Sequence, residues 1–295
     1  MGFFDDILSS FRKGNNLIKL IYINVAIFVI IAVASIIGFL LSNSTIPSAL
    51  VSFLAVPADL NVLITRPWSP LTYMFTHKDI LHILFNMLWL YWFGMIFLEY
   101  LDQRKLTAVY ILGGLSGALV YVFSFNVFPA FTGVVSESVA IGASASVMAI
   151  VISIAAYVPD YQINLFLIGR IRIKYMALGI LILTSFVDFS SNSGGKLAHI
   201  GGAIFGYLYT MNLRKGRDAA RGLNRIIDYF ATWLKPRKKL RVTHKKPATD
   251  HEYNQMKAER QKSINNILDK ISKAGYDSLT REEKDILFRE SQNKN

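Results

Sequence analysis

Long apolar runs are the feature that most restricts the fold of this chain. The first covers residues 17–41, and about 20 apolar residues in a helix are enough to cross the ~30 Å hydrocarbon layer of a bilayer. Backbone groups inside lipid must be hydrogen-bonded internally, which a helix achieves within its own segment. The pattern predicts an all-α polytopic membrane protein with six transmembrane helices, at about residues 17–41, 80–100, 106–125, 139–158, 175–187 and 196–213.

The composition restricts the chemistry that such a bundle can carry. Hydrophobic residues make up 53% of the 295 residues, and the mean hydropathy is +0.36. The chain contains no cysteine, which excludes disulfides, thiolate catalysis and cysteine metal sites. We expect no metal or other cofactor, because His77 and His82 lie five residues apart and lack a further ligand pair at a suitable helical spacing.

Basic residues are concentrated after the last apolar run. Residues 214–246 contain twelve Lys and Arg against two Asp, and the whole chain has a net charge of +12. Such charge beside a span is typical of the cytoplasmic side and attracts anionic lipid. The bilayer is therefore an expected partner, whereas nucleic acid, for which no recognition motif is present, is not. Loop charges place both termini on this cytoplasmic side.

The segments outside the bundle predict further divisions of the chain. We expect a cytoplasmic N-terminal tail at 1–16, a six-helix domain at 17–213, a basic juxtamembrane helix and linker at 214–249, and a small helical extension at 250–295. Residues 223–234 carry apolar side chains at helical spacing among basic ones, which favours a helix on the membrane surface. In the extension, Thr280 and Glu283 have the spacing of a capping box that begins a second helix.

The outward-facing segment after the first span is too long for a turn. Residues 42–78 contain an apolar stretch at 50–56 that is too short to span a bilayer and is followed by Pro57. We interpret this stretch as an interfacial or re-entrant helix. Aromatic and polar residues around Trp68, Tyr73 and His77 indicate an anchor at headgroup level.

Polar side chains occur at membrane depth near the outward-facing ends of three predicted spans. His82 and Asn86 share one face of the second span, Ser144 lies near the start of the fourth, and His199 lies near the start of the sixth. Such groups are costly in lipid and usually face the protein interior or water. A serine in the first turn of a helix has free N–H groups beside it, as a nucleophile and its oxyanion require.

Two interpretations of these residues are open at this point. In the first, which is acyl transfer, His199 accepts the proton of Ser144. His82, Asn86 and the backbone N–H of the serine then bind the oxyanion. In the second, Ser144 and Ser146 are small packing residues, and the histidines are satisfied by backbone carbonyls. The common depth of these groups on three separate spans favours acyl transfer.

Three motifs occur in an order that is typical of one known family. They are His82-xxx-Asn86, Gly142-x-Ser144 and Ala198-His199-x-Gly201-Gly202. Together they resemble the rhomboid family of intramembrane serine proteases, in its bacterial type with a short C-terminal cytoplasmic extension, over about residues 68–213. The resemblance implies a six-helix rhomboid-like bundle with a Ser–His dyad in a water-filled cavity. It also implies membrane protein substrates that are cut in a transmembrane segment, and a location in a bacterial inner membrane.

The resemblance assigns roles to individual residues and leaves the oligomeric state open. Ser144 resembles the nucleophile, His199 the general base, and His82 and Asn86 the oxyanion-side pair. His77 matches a further family histidine that precedes the second span. The glycines of the sixth span resemble the packing motif that holds the histidine helix against the serine helix.

Two positions depart from the family pattern. Ala145 stands where the family usually has a glycine after the serine, and we expect its methyl group to narrow the approach to the nucleophile. Ser69 stands where the family often has an arginine after Trp68, and that arginine helps to position the outer loop and lipid.

Other functions fit the sequence less well than proteolysis. A catalytically inactive rhomboid-like protein that binds membrane clients is the alternative, but such relatives typically lack the serine or the histidine, and this chain has both. A solute transporter would have polar residues around the midplane and broken helices at pseudo-symmetric positions. Asp188 is a conceivable third member of a triad, although we favour a dyad without an acid.

Overall fold

The chain forms two compact units, Met1–Lys235 and Pro236–Asn295. The computed structural model describes residues 3–43, 45–165, 169–190, 192–234 and 249–292. The first unit contains all six predicted spans, and the second contains the predicted helical extension. Most of the predicted linker lies outside the described residues, so the four-part division of the chain stays a prediction.

Thirteen α-helices and four short strands form within the described ranges. The helices are α1 (Phe3–Lys13), α2 (Asn16–Leu40), α3 (Thr45–Leu54), α4 (Leu60–Thr65), α5 (Ser69–Thr72), α6 (Ile80–Tyr100), α7 (Gln103–Val127), α8 (Ser144–Tyr157), α9 (Ile173–Ser185), α10 (Ser193–Arg214), α11 (Ala220–Leu234), α12 (Asp250–Ala274) and α13 (Arg281–Gln292). The strands are β1 (Val56–Pro57), β2 (Val139–Ala140), β3 (Gln162–Leu165) and β4 (Gly169–Arg172).

Each predicted span corresponds to one helix, and the prediction of an all-α membrane bundle is confirmed. Among the described residues, α2, α6 and α7 are long and apolar enough to cross a membrane. The apolar helices α8 and α9 are shorter, with 14 and 13 residues. Helix α10 has 22 residues and is less apolar, because its first half is rich in glycine and contains Lys196 and His199.

Helix α8 is the centre of the bundle, and α10 and α7 pack closely on it. Most of its residues from Ala145 to Ala155 are buried. Glycines on the neighbouring helices allow the close approach: a Cβ at Gly206 of α10 would overlap the carbonyl oxygen of Ala149, and one at Gly113 of α7 would overlap the Ala149 side chain. A buried hydrogen bond of 2.9 Å between the hydroxyls of Ser153 and Thr210 also joins α8 to α10.

The fourth predicted span begins later than expected. We predicted a helix from residue 139, but Val139 and Ala140 pair as strand β2 with Pro57 and Val56 of β1, and the helix begins at Ser144. This antiparallel pair ties the segment before α8 to the outer loop. Since 14 residues extend only about 21 Å, α8 is shorter than the ~30 Å hydrocarbon layer.

The outer loop contains the predicted short helix, α3, and its C-terminal end is capped by side chains from further along the chain. Arg66 donates to the carbonyl oxygen of Ser52 at 2.6 Å, and Trp68 Nε1 donates to that of Phe53 at 2.9 Å. The Thr72 hydroxyl donates to the Leu54 carbonyl at 2.7 Å. These bonds satisfy three carbonyls that the end of a helix leaves without intrahelical partners.

The opposite end of the bundle contains a hairpin that the sequence did not indicate. The sequence predicts a loop with Arg170, Arg172 and Lys174 between the fourth and fifth spans, but β3 and β4 pair antiparallel there, with Gln162 opposite Arg172. The amphipathic helix predicted at 223–234 is present as α11, which begins earlier, at Ala220. Asp228 of α11 forms an ion pair of 3.3 Å with Arg104, and both side chains are more than half exposed, so this pair adds little stability.

The second unit is a pair of helices, α12 and α13. Both begin with a capping box: Thr249 with Glu252 at α12, and Thr280 with Glu283 at α13, the pair that the sequence predicted. Lys270 forms an ion pair with Glu283 at 2.9 Å, which links the two helices and contributes to a low pKa of that carboxyl group. Among the described residues of this unit, the buried hydrophobic side chains are Ile267 and Leu279.

Candidate active site

Ser144 is the first residue of α8, and the backbone before it is held in an unusual conformation. Gly142 has φ = +118°, which residues with a Cβ rarely adopt. Its N–H donates to the Tyr73 carbonyl at 2.9 Å, and the N–H of Ala143 donates to His77 Nε2 at 3.2 Å. The segment just before α6 therefore fixes the start of α8. Ala143 provides no side-chain acceptor for the first N–H groups of the helix.

Ser144 and Ser146 face different environments. The side chain of Ser144 is partly exposed and lines a cavity of about 330 Å³. Ser146 is fully buried, and its hydroxyl lies 3.7 Å from Met74 Sδ and against Gly114 of α7. The two positions are about 200° apart around the helix. Only Ser144 is accessible to a group inside the cavity.

His199 of α10 lines the same cavity, and its ring is anchored at one nitrogen. Its Nδ1 lies 3.2 Å from the carbonyl oxygen of Thr184 in α9. A carbonyl can only accept, so Nδ1 carries the proton, and Nε2 of the neutral ring is an acceptor. This is the tautomer that a general base requires. The orienting group is a backbone oxygen, for which the sequence has no signature.

His82 and Asn86 of α6 also line the cavity. The imidazole of His82 lies against Gly142, where an added Cβ would be 2.7 Å from its Cε1 atom. Asn86 Nδ2 donates to the His82 carbonyl at 2.8 Å, which uses one of the two N–H groups of its amide. The structure thus brings all four predicted site residues into one cavity.

His77 has a role that sequence reasoning did not identify. Beyond accepting from Ala143 N–H, its ring packs edge-on against His82, with centroids 5.0 Å apart. It is fully buried and lies outside the cavity lining. His77 therefore contacts both the backbone that precedes Ser144 and one of the predicted oxyanion residues.

The cavity continues inward from Ser144 along one face of α8. Ser144, Val147, Met148 and Val151 line it at the i, i+3, i+4 and i+7 positions, which corresponds to about 10 Å along the helix axis. Trp89 and Ile180 add apolar surface from α6 and α9. The polar groups lie near the first turn of α8, and the lining beyond them is apolar.

The expectation that Ala145 narrows the approach to the nucleophile is wrong. Its side chain is 1% exposed and packs against Gly117 of α7, on a side of α8 that does not line the cavity. Each residue along a helix is rotated by about 100°, so the methyl group next to Ser144 points towards α7. Ser69, the second departure, is fully buried, and Arg66 provides the guanidinium that holds the outer loop.

Asp188 does not orient His199 in the way that a triad acid would, since the Nδ1 atom of the histidine contacts Thr184 instead. The carboxylate of Asp188 accepts from the Ser190 hydroxyl at 2.9 Å. Lys196, which is almost fully buried, donates to the carbonyls of Val187 (2.9 Å) and Asp188. This lysine links the segment just after α9 to the first turn of α10, one turn before His199.

The architecture and the site define a polytopic helical membrane protein with a cavity that has polar side chains near the first turn of α8 and an apolar lining beyond them. Comparison with known families matches residues 65–216, just over half of the chain, to the Rhomboid domain. The chain therefore belongs to the rhomboid family. Residues 248–293 match a second family, whose function is unknown (DUF6576).

Two curated relatives are similar to part of the chain. RHOMBOID-like protein 12, mitochondrial, of Arabidopsis thaliana is 30% identical over 159 residues, which are 50% of this chain and 46% of the relative. Presenilin-associated rhomboid-like protein A, mitochondrial, of Danio rerio is 28% identical over 142 residues, which are 46% of this chain and 34% of the relative. The matched segment spans less than half the length of each relative.

Proposed function

We propose that this chain is an intramembrane serine endopeptidase, with Ser144 as nucleophile and His199 as general base. The observation that supports it is that both side chains line one cavity, while the Thr184 carbonyl holds the proton of His199 on Nδ1. Nε2 is then the basic nitrogen on the ring. Membership in the rhomboid family is consistent with this chemistry.

The proposed reaction has two stages. In the first, His199 Nε2 removes the proton of the Ser144 hydroxyl as Oγ attacks the carbonyl carbon of the scissile peptide bond. The tetrahedral intermediate collapses, the C–N bond breaks, and the imidazolium returns the proton to the leaving amine. In the second, the same nitrogen takes a proton from water as its oxygen attacks the carbonyl carbon of the acyl ester. The imidazolium then returns this proton to Ser144 Oγ as the ester C–O bond breaks and the new carboxyl terminus is released.

The oxyanion of each intermediate would be stabilised by N–H donors near the first turn of α8. The backbone N–H of Ser144 begins the helix, where the dipole favours negative charge. His82 and the second N–H of the Asn86 amide are the proposed side-chain donors. Since both residues come from α6, the oxyanion site would depend on the packing of α6 against α8.

The apolar interior of the cavity and the location of the protein in a membrane support transmembrane segments of membrane proteins as substrates. An apolar side chain of the substrate next to the scissile bond would enter the cavity and pack against Val147, Met148 and Ile180. We also propose that both termini face the cytoplasm of a bacterial cell, on the charge pattern of the loops and of residues 214–246. Residues 214–249 would then be a juxtamembrane helix and linker, and 250–295 a separate cytoplasmic extension.

The test compares two serines of one helix. The wild-type chain and the variants Ser144→Ala and Ser146→Ala would be purified in detergent and treated with a fluorescent fluorophosphonate. We expect Ser144→Ala to abolish labelling and cleavage of a transmembrane model substrate, and Ser146→Ala to retain most of both. His199→Ala should reduce cleavage by about 10²–10⁴-fold.

The opposite serine pattern would overturn the assignment of the nucleophile. If the folded wild type neither reacts with the probe nor cleaves, yet retains transmembrane clients in co-purification, the alternative function is favoured. That alternative is a catalytically inactive rhomboid-like protein that binds membrane clients. Thermal unfolding of each variant, measured in parallel, separates loss of chemistry from loss of fold.

A further inference from the structure

A groove at the end of the bundle opposite Ser144 has no part in the proposed reaction. Its volume is about 490 Å³, which is within the range of small-molecule sites, and it is lined by residues of α8, α9 and α10. Ala155 and Ala177 are its buried residues, whereas Leu178 and Tyr207 are each 52% exposed. Small side chains where α8 and α9 meet leave this space open along the helices.

Two cations line the groove at one end. Lys174 is in the first turn of α9, and Arg214 is the last residue of α10. One guanidinium nitrogen of Arg214 donates to the Tyr157 carbonyl at 2.9 Å, at the end of α8. A guanidinium has five N–H donors, and this bond uses one of them. It also holds the arginine at the level where α8 ends.

The residues that line the groove include these two cations and no carboxylate. Just outside the lining, Lys174 Nζ and Arg172 Nη1 contact the same oxygen of Asp160, at 2.8 and 3.2 Å. Asp160 is therefore shared between Arg172 and Lys174. The remaining lining, such as Ile152, Ala156 and Met211, is apolar. The groove is an apolar channel with a basic end.

A ligand that can contact both the apolar channel and its basic end is an amphiphile with an anionic head group. In a membrane-embedded bundle, the surrounding amphiphile is phospholipid, and basic pockets between transmembrane helices select anionic headgroups. A free anion would not contact the apolar lining, and a neutral lipid would not pair with the cations Lys174 and Arg214. Arg214 is the last residue of α10 and bonds to the last residue of α8, so the basic end of the groove lies where these two helices end.

We propose that this groove binds one anionic phospholipid from the leaflet at this end of the bundle. Its phosphate lies between Lys174 and Arg214. One acyl chain follows the alanines Ala155, Ala156 and Ala177 along the groove. The site is independent of the proposed catalysis, because it shares no lining residue with the cavity of Ser144.

The experiment measures lipid-dependent thermal unfolding and lipid binding of the full chain in a neutral detergent. Dioleoylphosphatidylglycerol and dioleoylphosphatidylcholine are titrated separately, and retained lipid is counted by native mass spectrometry. We expect the wild type to bind phosphatidylglycerol preferentially and to gain Tm from it. The double variant Lys174→Gln/Arg214→Gln should bind this lipid at least about tenfold more weakly. Ala156→Phe, which fills the groove, should lose binding with both cations intact.

The matched control is Arg12→Gln/Lys13→Gln, which removes the same charge from the end of α1 and leaves the groove intact. It should keep the lipid preference. The readout is the change caused by lipid and not the starting Tm, so a variant that is less stable still gives an answer. Equal effects of the two lipids on the wild type would overturn the proposal. So would an equal loss in both double variants, or reproduction of the Tm gain by inorganic phosphate alone.

Discussion

Gly202 of α10 lies directly against the carbonyl oxygen of Ala145, the residue that follows Ser144. A Cβ on this glycine would overlap that oxygen, so no larger residue fits without separating the two helices. Gly202 is also three residues after His199, close to one turn along the same helix. The contact between Gly202 and Ala145 therefore sets the distance between the proposed nucleophile and the proposed base.

Gly202→Ala should disrupt the site through packing. An added methyl group in a packed interior costs typically about 1–3 kcal/mol, and here it must move α10 away from α8. We expect a lower Tm together with a loss of cleavage larger than the loss of folded protein. The matched control is Gly179→Ala in α9, where no atom lies within 4 Å of the added Cβ. Wild-type cleavage and Tm in Gly202→Ala would contradict this account.

Asn86→Ala and His82→Ala test the oxyanion donors. Their hydrogen bonds should strengthen as the carbonyl oxygen gains charge, so both changes should lower kcat more than they raise KM. We expect Asn86→Ala to cost about ten- to a hundredfold, since water can partly replace the lost donor, and His82→Ala to cost as much or more. Fluorophosphonate labelling should persist in both, in contrast to Ser144→Ala.

The control for this pair is Asn126→Ala, which removes an amide that donates to the Ala58 carbonyl outside the cavity. It should leave kcat unchanged. A stable His82→Ala/Asn86→Ala double variant with wild-type kcat would exclude both residues as oxyanion donors and leave them a structural role.

Arg66→Gln should loosen the outer loop. The guanidinium makes charge-assisted bonds to the carbonyl and hydroxyl of Ser52, at 2.6 and 3.0 Å. Losing them should cost roughly 1–2 kcal/mol of local stability, which corresponds to about five- to thirtyfold more frequent opening. Limited proteolysis of residues 42–57 measures this, with Lys78→Gln as a control that removes an exposed outer-loop cation. Equal cleavage rates in the two variants would show that Arg66 does not hold α3.

Truncation after residue 246 should leave the proposed chemistry intact. Every residue that lines the cavity lies between Leu81 and His199, in the first compact unit. We therefore expect the truncated chain to fold, to react with fluorophosphonate and to cleave a transmembrane model substrate at the wild-type rate. Reduced cleavage by a truncated protein with normal Tm and normal labelling would show that residues 247–295 contribute to substrate capture.

Local patterns predicted the positions of the helices well, and they picked out four polar residues that line one cavity in the structure. Helix α6 runs from Ile80 to Tyr100, as its hydropathy indicated, because an apolar run in lipid must be helical throughout. His82 and Asn86 could be placed on one face from their spacing alone. Predictions of this kind depend only on residues within the same helix.

What the sequence could not predict depends on contacts between distant segments. Helix α8 begins at Ser144 and not near Val139, because β2 pairs with β1, which lies about 80 residues earlier in the chain. The hydropathy of a segment does not indicate such a pairing. The bond from Ala143 N–H to His77 joins residues 66 positions apart. Predicting the direction of the Ala145 methyl group would require knowing where α8 starts and how it is rotated.

The anchoring of His199 has a consequence for how a substrate could enter. The acceptor of its Nδ1 proton belongs to α9, whereas the ring belongs to α10, so the tautomer of the base depends on two helices staying together. If α9 moved outward to admit a polypeptide, the Thr184 carbonyl would leave the ring of His199. The proposed base would then be aligned only after α9 had returned, so entry and proton abstraction would be separate events in time.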